Sequence, residues 1–314
     1  MNALVLGGAG FLGTHLVGHL LTRGWSVRVY DRSCGVKLKQ GRLLPGVDYV
    51  AGNFADTSCL DEAMRGSEVV FHLIGTPDLQ AAEENPAPDA ASHVRPMAAF
   101  LHSAERRGIG KVIFVSSGGT VYGHAETLPI PERHPTRPIS HFGRRYLMME
   151  QCIREHHQAR GLDYTILRVA NAYGEGQPVN RPQGVVAVFL DRILRDEILD
   201  VWGDGSVVRD YVYAGDVARA AARAAKSRHE EKTFNIGTGT GMSLLQVIEQ
   251  LGYAAGCSPR VRFLPGKGYN VPASVLDPTL AVKFLGWAPT VIFSEGVGRL
   301  VSHLRNRQQA CATP

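Results

Sequence analysis

The nine residues VLGGAGFLG (Val5 to Gly13) leave this chain few folds to choose from. A short apolar strand runs into a turn of glycines, and an amphipathic helix follows at once. A chain that turns so tightly needs residues without Cβ, so that backbone N–H groups and the helix N-terminus can approach a pyrophosphate. Gly7, Gly10 and Gly13 hold those places, with Phe11 and Leu12 between the last two. Asp31 ends the next strand-like run, SVRVYD, 18 residues after Gly13. A carboxylate there accepts hydrogen bonds from ribose hydroxyls and repels a 2′-phosphate, so the expected dinucleotide is NAD rather than NADP, although Arg32 lies alongside.

The rest of the first half keeps this rhythm. NALVLGG, SVRVYD, VDYVAGN, VVFHLIG, KVIFVSSGG and DYTILRVAN read as strands. FLGTHLVGHLLTRG, MAAFLHSAERRG and RRYLMMEQCIREHHQARG read as helices, each stopped by a glycine. Strands apolar on both faces, alternating with helices, predict an α/β, Rossmann-type doubly wound parallel sheet covered by helices. After about Asn171 the texture changes to a Gly/Pro loop, YGEGQPVNRPQG, then the helix VVAVFLDRILRDE and mixed short elements. The expected organisation is an NAD-binding domain over residues 1–170, a smaller α/β substrate-binding lobe over 171–314, and a segment near 208–236 that returns to the first domain.

Composition narrows the class. Of the 314 residues, 44% are apolar and 20% charged, which suits a water-soluble protein with a large core. No apolar run is long enough to span a membrane, and the first residues lack the pattern of a signal peptide. The cysteines (Cys34, Cys59, Cys152, Cys257, Cys311) are scattered singly, which fits a reduced, cytoplasmic protein. A net charge of +5, spread along the chain without a basic stripe, suits an anionic small molecule better than nucleic acid. His102 and the pair His156 and His157 show no Cys or carboxylate at ligand spacing. They read as a solvated helix face rather than a metal site.

The glycine spacing, together with VSSGGTVYG a hundred residues later, resembles the extended short-chain dehydrogenase/reductase family. Within it the chain is most similar to NAD-dependent nucleotide-sugar epimerases. The likeness covers nearly the whole chain. GNFAD resembles the adenine-contacting segment, with Asn53 where aspartate is usual and Phe54 beside it. VVFHLIG, with Leu73 and Gly75, resembles the strand under the dinucleotide, and Ser116 ends the strand beside it. LRVANAYGEGQ implies that Asn171 touches the substrate diphosphate. VVRDYVYAGDVARA implies the same for Arg209, and LPGKGYNVP places Lys267 where a second arginine is usual. The implied activity is removal and return of hydride at a sugar carbon of a nucleotide sugar, most simply a UDP-sugar. The implied assembly is a homodimer through the helices 97–108 and 144–161. Sister dehydratases and decarboxylases carry carboxylates just before VYG; Gly119 and Thr120 stand there, which favours epimerase-type chemistry.

The resemblance fails at its chemical centre. The family's helix carries a tyrosine and, four residues on, a lysine. ISHFGRRYLMMEQ puts Phe142 and Tyr146 in those places. The family hydroxyl before TVYG falls on Gly118, leaving Ser117 and Thr120 as the nearby donors, and His93 and Pro96 replace an asparagine and a glycine. Replacement acid/base groups are sought among His141, Tyr146, His93 and Tyr122, with Ser117 and Thr120 assisting. Tyr146 is also expected to hydrogen-bond the nicotinamide ribose. The alternative is a protein that binds NAD and a nucleotide sugar but is catalytically impaired, acting as a sensor or partner subunit.

Overall fold

The computed structural model describes residues 1–39, 43–75, 79–180, 183–266 and 271–312. The first lobe runs β1 (Asn2–Leu6), α1 (Phe11–Thr22), β2 (Ser26–Asp31), α2 (Cys34–Lys39), β3 (Asp48–Ala51), α3 (Thr57–Ala63) and β4 (Val69–His72). It continues through α4 (Leu79–Glu84), α5 (Pro86–Arg106), β5 (Lys111–Ser117), α6 (Gly118–Val121), α7 (His141–Arg160) and β6 (Asp163–Val169). Then come β7 (Asn171–Tyr173), α8 (Val185–Leu194), β8 (Leu199–Trp202), β9 (Val208–Tyr213), α9 (Ala214–Lys226) and β10 (Thr233–Ile236). The last elements are β11 (Gly241–Ser243), α10 (Leu244–Ala255), β12 (Val261–Leu264), β13 (Ala273–Ser274), α11 (Thr279–Leu285) and α12 (Phe293–Ala312).

Among the described residues, β10, β6, β5, β4, β1, β2 and β3 form, in that order, one parallel seven-stranded sheet. The strand order reverses between β1 and β4, and a doubly wound sheet opens its ligand crevice at the carboxyl ends of the strands at such a point. Helices cover both faces, as strands apolar on both sides demand. On one face Leu16, Val17 and Leu20 of α1 meet the alanine-rich side of α9, whose small side chains let the two helices approach closely. On the other, α3, α5 and α7 bury Leu60, Met97, Phe100, Leu101, Met149 and Ile153 against Leu4, Val70 and Phe114 of the sheet.

The smaller lobe is built on β9, which pairs with β7, β11 and β13, and on the parallel pair β8 and β12, with α8, α10 and α12 packed around them. One expected boundary moves. The sequence suggests a helix opening at Met97, after a proline, whereas α5 begins at Pro86 and runs through Pro96. Pro86 sits in the first turn, where a missing N–H is harmless. Pro96 lies inside the helix, where it removes one backbone hydrogen bond, and is buried. Among the described residues, no helix is long and apolar enough to cross a membrane.

Candidate active site

The glycine turn is built for close approach. Gly7 takes a left-handed φ of +77°, and a Cβ there would lie 3.1 Å from the Leu73 carbonyl carbon, closing the gap between β1 and the chain after β4. A Cβ on Gly13 would strike the backbone of Gly7 and Gly8, so the first turn of α1 packs directly on the loop. Gly10 caps α1 without a side chain, which leaves the first N–H groups of the helix, from Phe11 and Leu12 onward, open to an anion. Asp31 closes β2, with Oδ1 accepting from the Ser33 N–H and hydroxyl, both at 2.8 Å. Arg32 beside it is exposed. Tyr30 donates to the Asn53 carbonyl at 2.8 Å, and Phe54 is buried with its ring 4.7 Å from His72. A cradle that any Cβ would fill, an open helix N-terminus and a carboxylate at the end of the second strand fit a dinucleotide.

Helix α7 brings Phe142 and Tyr146 to this crevice. It starts where Ser140 accepts from the Gly143 N–H at 3.0 Å, and Glu83 of α4 accepts from the His141 N–H at 2.6 Å. Phe142 and Tyr146 lie one turn apart with ring centroids 5.1 Å from each other. The Tyr146 hydroxyl reaches the backbone of Gly75, where a Cβ would collide with it. Arg145 is 1% exposed, and its guanidinium sits 4.7 Å from the Phe142 ring centroid and 5.2 Å from that of Tyr146. It pairs with Asp89 of α5 at 2.5 Å, and the Asp89 carbonyl contacts His93 Nδ1 at 2.9 Å. Burial raises the Tyr146 phenol above its ordinary pKa, and Arg145 opposes that without reversing it. Tyr146 is therefore a hydrogen-bond donor at neutral pH and not a ready base. Burial, with Arg145 adding to it, holds His93 below the usual imidazole range.

The other sequence-derived groups divide. Thr120 donates to Ser117 Oγ at 2.8 Å, giving a hydroxyl pair at the end of β5. The same loop touches the second lobe, since a Cβ on Gly119 would lie 3.8 Å from Asn171 Nδ2. Ser116 turns the other way and donates to Glu150 at 2.6 Å inside the core. Tyr122 is 1% exposed and donates to Asn235 at 2.7 Å, with burial pushing its phenol up to about 12. The His141 ring lies beside Arg144, Nδ1 at 3.2 Å from the guanidinium, on the outer side of the helix start. Glu150 settles the register of α7. It is fully buried and bonded to Arg168, Arg154 and Ser116, so it cannot serve in the lysine's place with Tyr146 as the tyrosine.

Past the end of β6, Asn171 opens β7 and donates to the Asp210 carbonyl at 3.2 Å. Asp210 is itself fully buried and accepts from Thr238, Gly239 and Leu276, which locks β9 to the loop after β10. Arg209 precedes it and is largely shielded, so that burial draws its pKa down. Its guanidinium donates to the Val208 carbonyl at 2.8 Å, and among the described residues no ion pair to a carboxylate is formed by it. Lys267 lies outside the described residues.

Sequence reasoning missed Arg145, Asp89 and Glu83. Arg145 sits in GRRY between two aromatic positions one turn apart, and an inward-facing cation there was legible only once both rings were seen to pack around it. Asp89 and Glu83 come from elements that sequence periodicity did not define.

Residues 3–237 match the family model described as the NAD dependent epimerase/dehydratase family. UDP-glucose 4-epimerase of Mycolicibacterium smegmatis is 32% identical over 315 residues, covering 98% of this chain and 100% of that protein. The crystal structure of UDP-glucose 4-epimerase from Thermotoga maritima with UDP-glucose superposes with a TM-score of 0.93 at 35% identity, covering 98% of this chain and 100% of the other. The Thermus thermophilus UDP-glucose 4-epimerase complex with NAD gives 0.90 at 34% identity, covering 97% and 99%.

Proposed function

Since the chain belongs to the NAD dependent epimerase/dehydratase family, we propose that it is an NAD-dependent enzyme of the epimerase type acting on a UDP-sugar, with a rearranged acid/base set. Gly7, Gly10, Phe11, Leu12 and Gly13 hold the pyrophosphate, and Asp31 holds the adenosine ribose, with Arg32, Asn53 and Phe54 flanking the adenine. Leu73, Gly75 and Tyr146 frame the nicotinamide end; Ser116, expected there from the sequence, is instead committed to Glu150 in the core. Bound there, the dinucleotide supplies a reversible two-electron acceptor. Ser117 and Thr120 present paired hydroxyls to the sugar. Tyr146, aimed at Gly75, donates a hydrogen bond, whereas His141, turned outward beside Arg144, is not placed to carry the proton that Phe142 cannot.

Arg209 is the observation that carries this assignment. A shielded guanidinium without a carboxylate partner among the described residues is expensive to maintain, and an anionic ligand such as a diphosphate offsets that cost. Asn171 opens the strand that pairs with Arg209's own, two residues out of register with it. Charge-assisted hydrogen bonds contribute about 1.5–3 kcal/mol each. Replacing Arg209 with Met should therefore weaken UDP-glucose by roughly 10–100-fold in calorimetry and leave NAD affinity unchanged. Equal UDP-glucose affinity in the two proteins would remove the diphosphate from this place.

A second reading, that of a catalytically impaired sensor or partner subunit, draws on the Phe142 ring and the Arg145–Asp89 pair, which fill the family's chemical centre without a titratable base. Incubation with a panel of nucleotide sugars, following product and bound-NADH absorbance, separates the two: binding without turnover selects the second. For either, we place a homodimer contact on α5 and α7, where Leu147, Met148 and Cys152 offer apolar surface and Met148 is 47% exposed. Sedimentation at micromolar concentration should give twice the chain mass; a monomer mass rules this contact out.

A further inference from the structure

We propose that His102, Glu105 and His156 form a binding site for a divalent transition-metal ion, with Zn²⁺ the best fit. His102 and Glu105 sit three residues apart on α5, one turn of helix, so both side chains leave the same face. His156 faces them from α7. A ligand atom from each of the three lies within 4.8 Å of the other two. The two imidazole rings are 5.1 Å apart, and His156 Nε2 is 3.4 Å from a Glu105 oxygen. Donor atoms around a tetrahedral zinc ion stand roughly 3.3 Å apart, at bond lengths of about 2.0–2.1 Å. Small rotations of the two exposed side chains close that gap.

His156 gives independent support. It is 8% exposed, yet its Nε2 is buried without a hydrogen-bond partner, close to Glu105 but not bonded to it. A buried polar atom left unsatisfied is unusual and calls for an ion or water to complete it. Two imidazoles and one carboxylate are a borderline-soft donor set that suits Zn²⁺, Co²⁺, Ni²⁺ or Cu²⁺ rather than Mg²⁺ or Ca²⁺. Arg160 lies close enough to disfavour a cation somewhat, and the Glu105 charge offsets it. The fourth position is left to water. The sequence reading of His102 and His156 as a solvated face overlooked Glu105, which is spaced for a helical His-x-x-Glu pair.

The site lies ten residues along α7 from Tyr146, about 15 Å by helical rise, and so stands apart from the catalytic crevice. All three ligands come from one chain and link the ends of α5 and α7. An ion there would tie the two helices together.

Tag-free protein titrated with ZnCl₂ should bind one equivalent per chain and melt at a higher temperature when loaded. CoCl₂ should give the intense visible bands of a four-coordinate ion. His102→Ala and Glu105→Gln alter exposed side chains and should leave the fold intact, yet each should weaken zinc by at least about tenfold, since even outer-shell changes cost 10–100-fold. His156→Ala should do the same, judged only if its circular dichroism matches the parent. The proposal is overturned if the exposed-residue variants titrate like the parent, if cobalt shows only the weak spectrum of the hydrated ion, or if the parent binds no zinc.

Discussion

Changing Phe142 to Tyr and Tyr146 to Lys together should raise turnover of UDP-glucose or a related nucleotide sugar by about 10²–10⁴-fold, the range in which a positioned acid/base group contributes. A phenyl ring at the start of α7 has no proton to exchange. The phenol of Tyr146 is held above its ordinary pKa by burial, so almost none is ionised at neutral pH. The double change puts a phenol where Phe142 stands and an ammonium one turn later. A nearby cation favours the phenolate. On the proposed assignment the double change leaves untouched the glycine turn, the Ser117 and Thr120 hydroxyls, and Arg209.

Arg145 makes the single change the informative control. Its guanidinium already lies 4.7 Å from the Phe142 ring centroid, so Phe142→Tyr alone gains a cation neighbour. That cation stacks on the ring, and its charge is already paired with Asp89. Phe142→Tyr should therefore gain less than the double change. Two results would defeat this account. Brisk turnover by the parent, abolished by the double change, would mean that other residues are the machinery, and single changes at His141, Tyr146 and His93 would find them. Binding of NAD and sugar by the double variant without added turnover would mean the sugar is presented wrongly, and would favour the sensor or partner-subunit reading.

The parallel sheet and the glycine turn were legible because both rest on local rules. Apolar runs of strand length alternate with helices, and only glycine fits where a Cβ would meet backbone. That Phe142 and Tyr146 lie together was legible for a similar reason, since residues four apart on one helix share a face. What surrounds the two rings was not. Arg145 reads as an ordinary surface arginine until α5 is seen to place Asp89 against it, and α5 begins well before the point suggested by Pro96. Tyr122 and Tyr146 look equally available in sequence, yet one is sealed against Asn235 and the other reaches Gly75. Ser116 and Ser117 are neighbours on one strand, and the alternation of strand side chains sends the first to Glu150 and the second toward Thr120. In each case the missing information was a contact between elements distant in sequence.

Acid should weaken this protein well before most of its carboxylates titrate, with His72 the largest identifiable cause. His72 is 0% exposed in β4, ringed by Phe54, Phe100 and Phe114 at centroid distances of 4.7, 5.8 and 5.4 Å, and among the described residues neither ring nitrogen has a hydrogen-bond partner. Burial, with His93 nearby, pulls its pKa from 6.5 to about 3. The folded state therefore keeps a neutral imidazole down to about pH 3, while the unfolded chain takes up a proton below about pH 6.5. Between those limits the unfolded state binds more protons, so stability falls as pH falls, approaching ~1.4 kcal/mol per pH unit. From pH 6.5 to 5 that is ~2 kcal/mol. Glu150 acts lower. Burial pushes its carboxyl up, but Arg168, Ser116 and Arg154 more than reverse this, so its contribution is present above about pH 4.3 and lost as pH falls through its depressed value. His93, His19 and His156 are also held low and add to the slope in the same direction as His72. Comparison with His72→Leu isolates the one residue, because lost ring packing does not depend on pH whereas the proton term does. Urea unfolding at fixed ionic strength should show the gap between parent and variant shifting by ~2 kcal/mol in the variant's favour between pH 6.5 and 5. Parallel stability curves for the two proteins over that range would show that His72 is protonated, or reached by water, in the folded state.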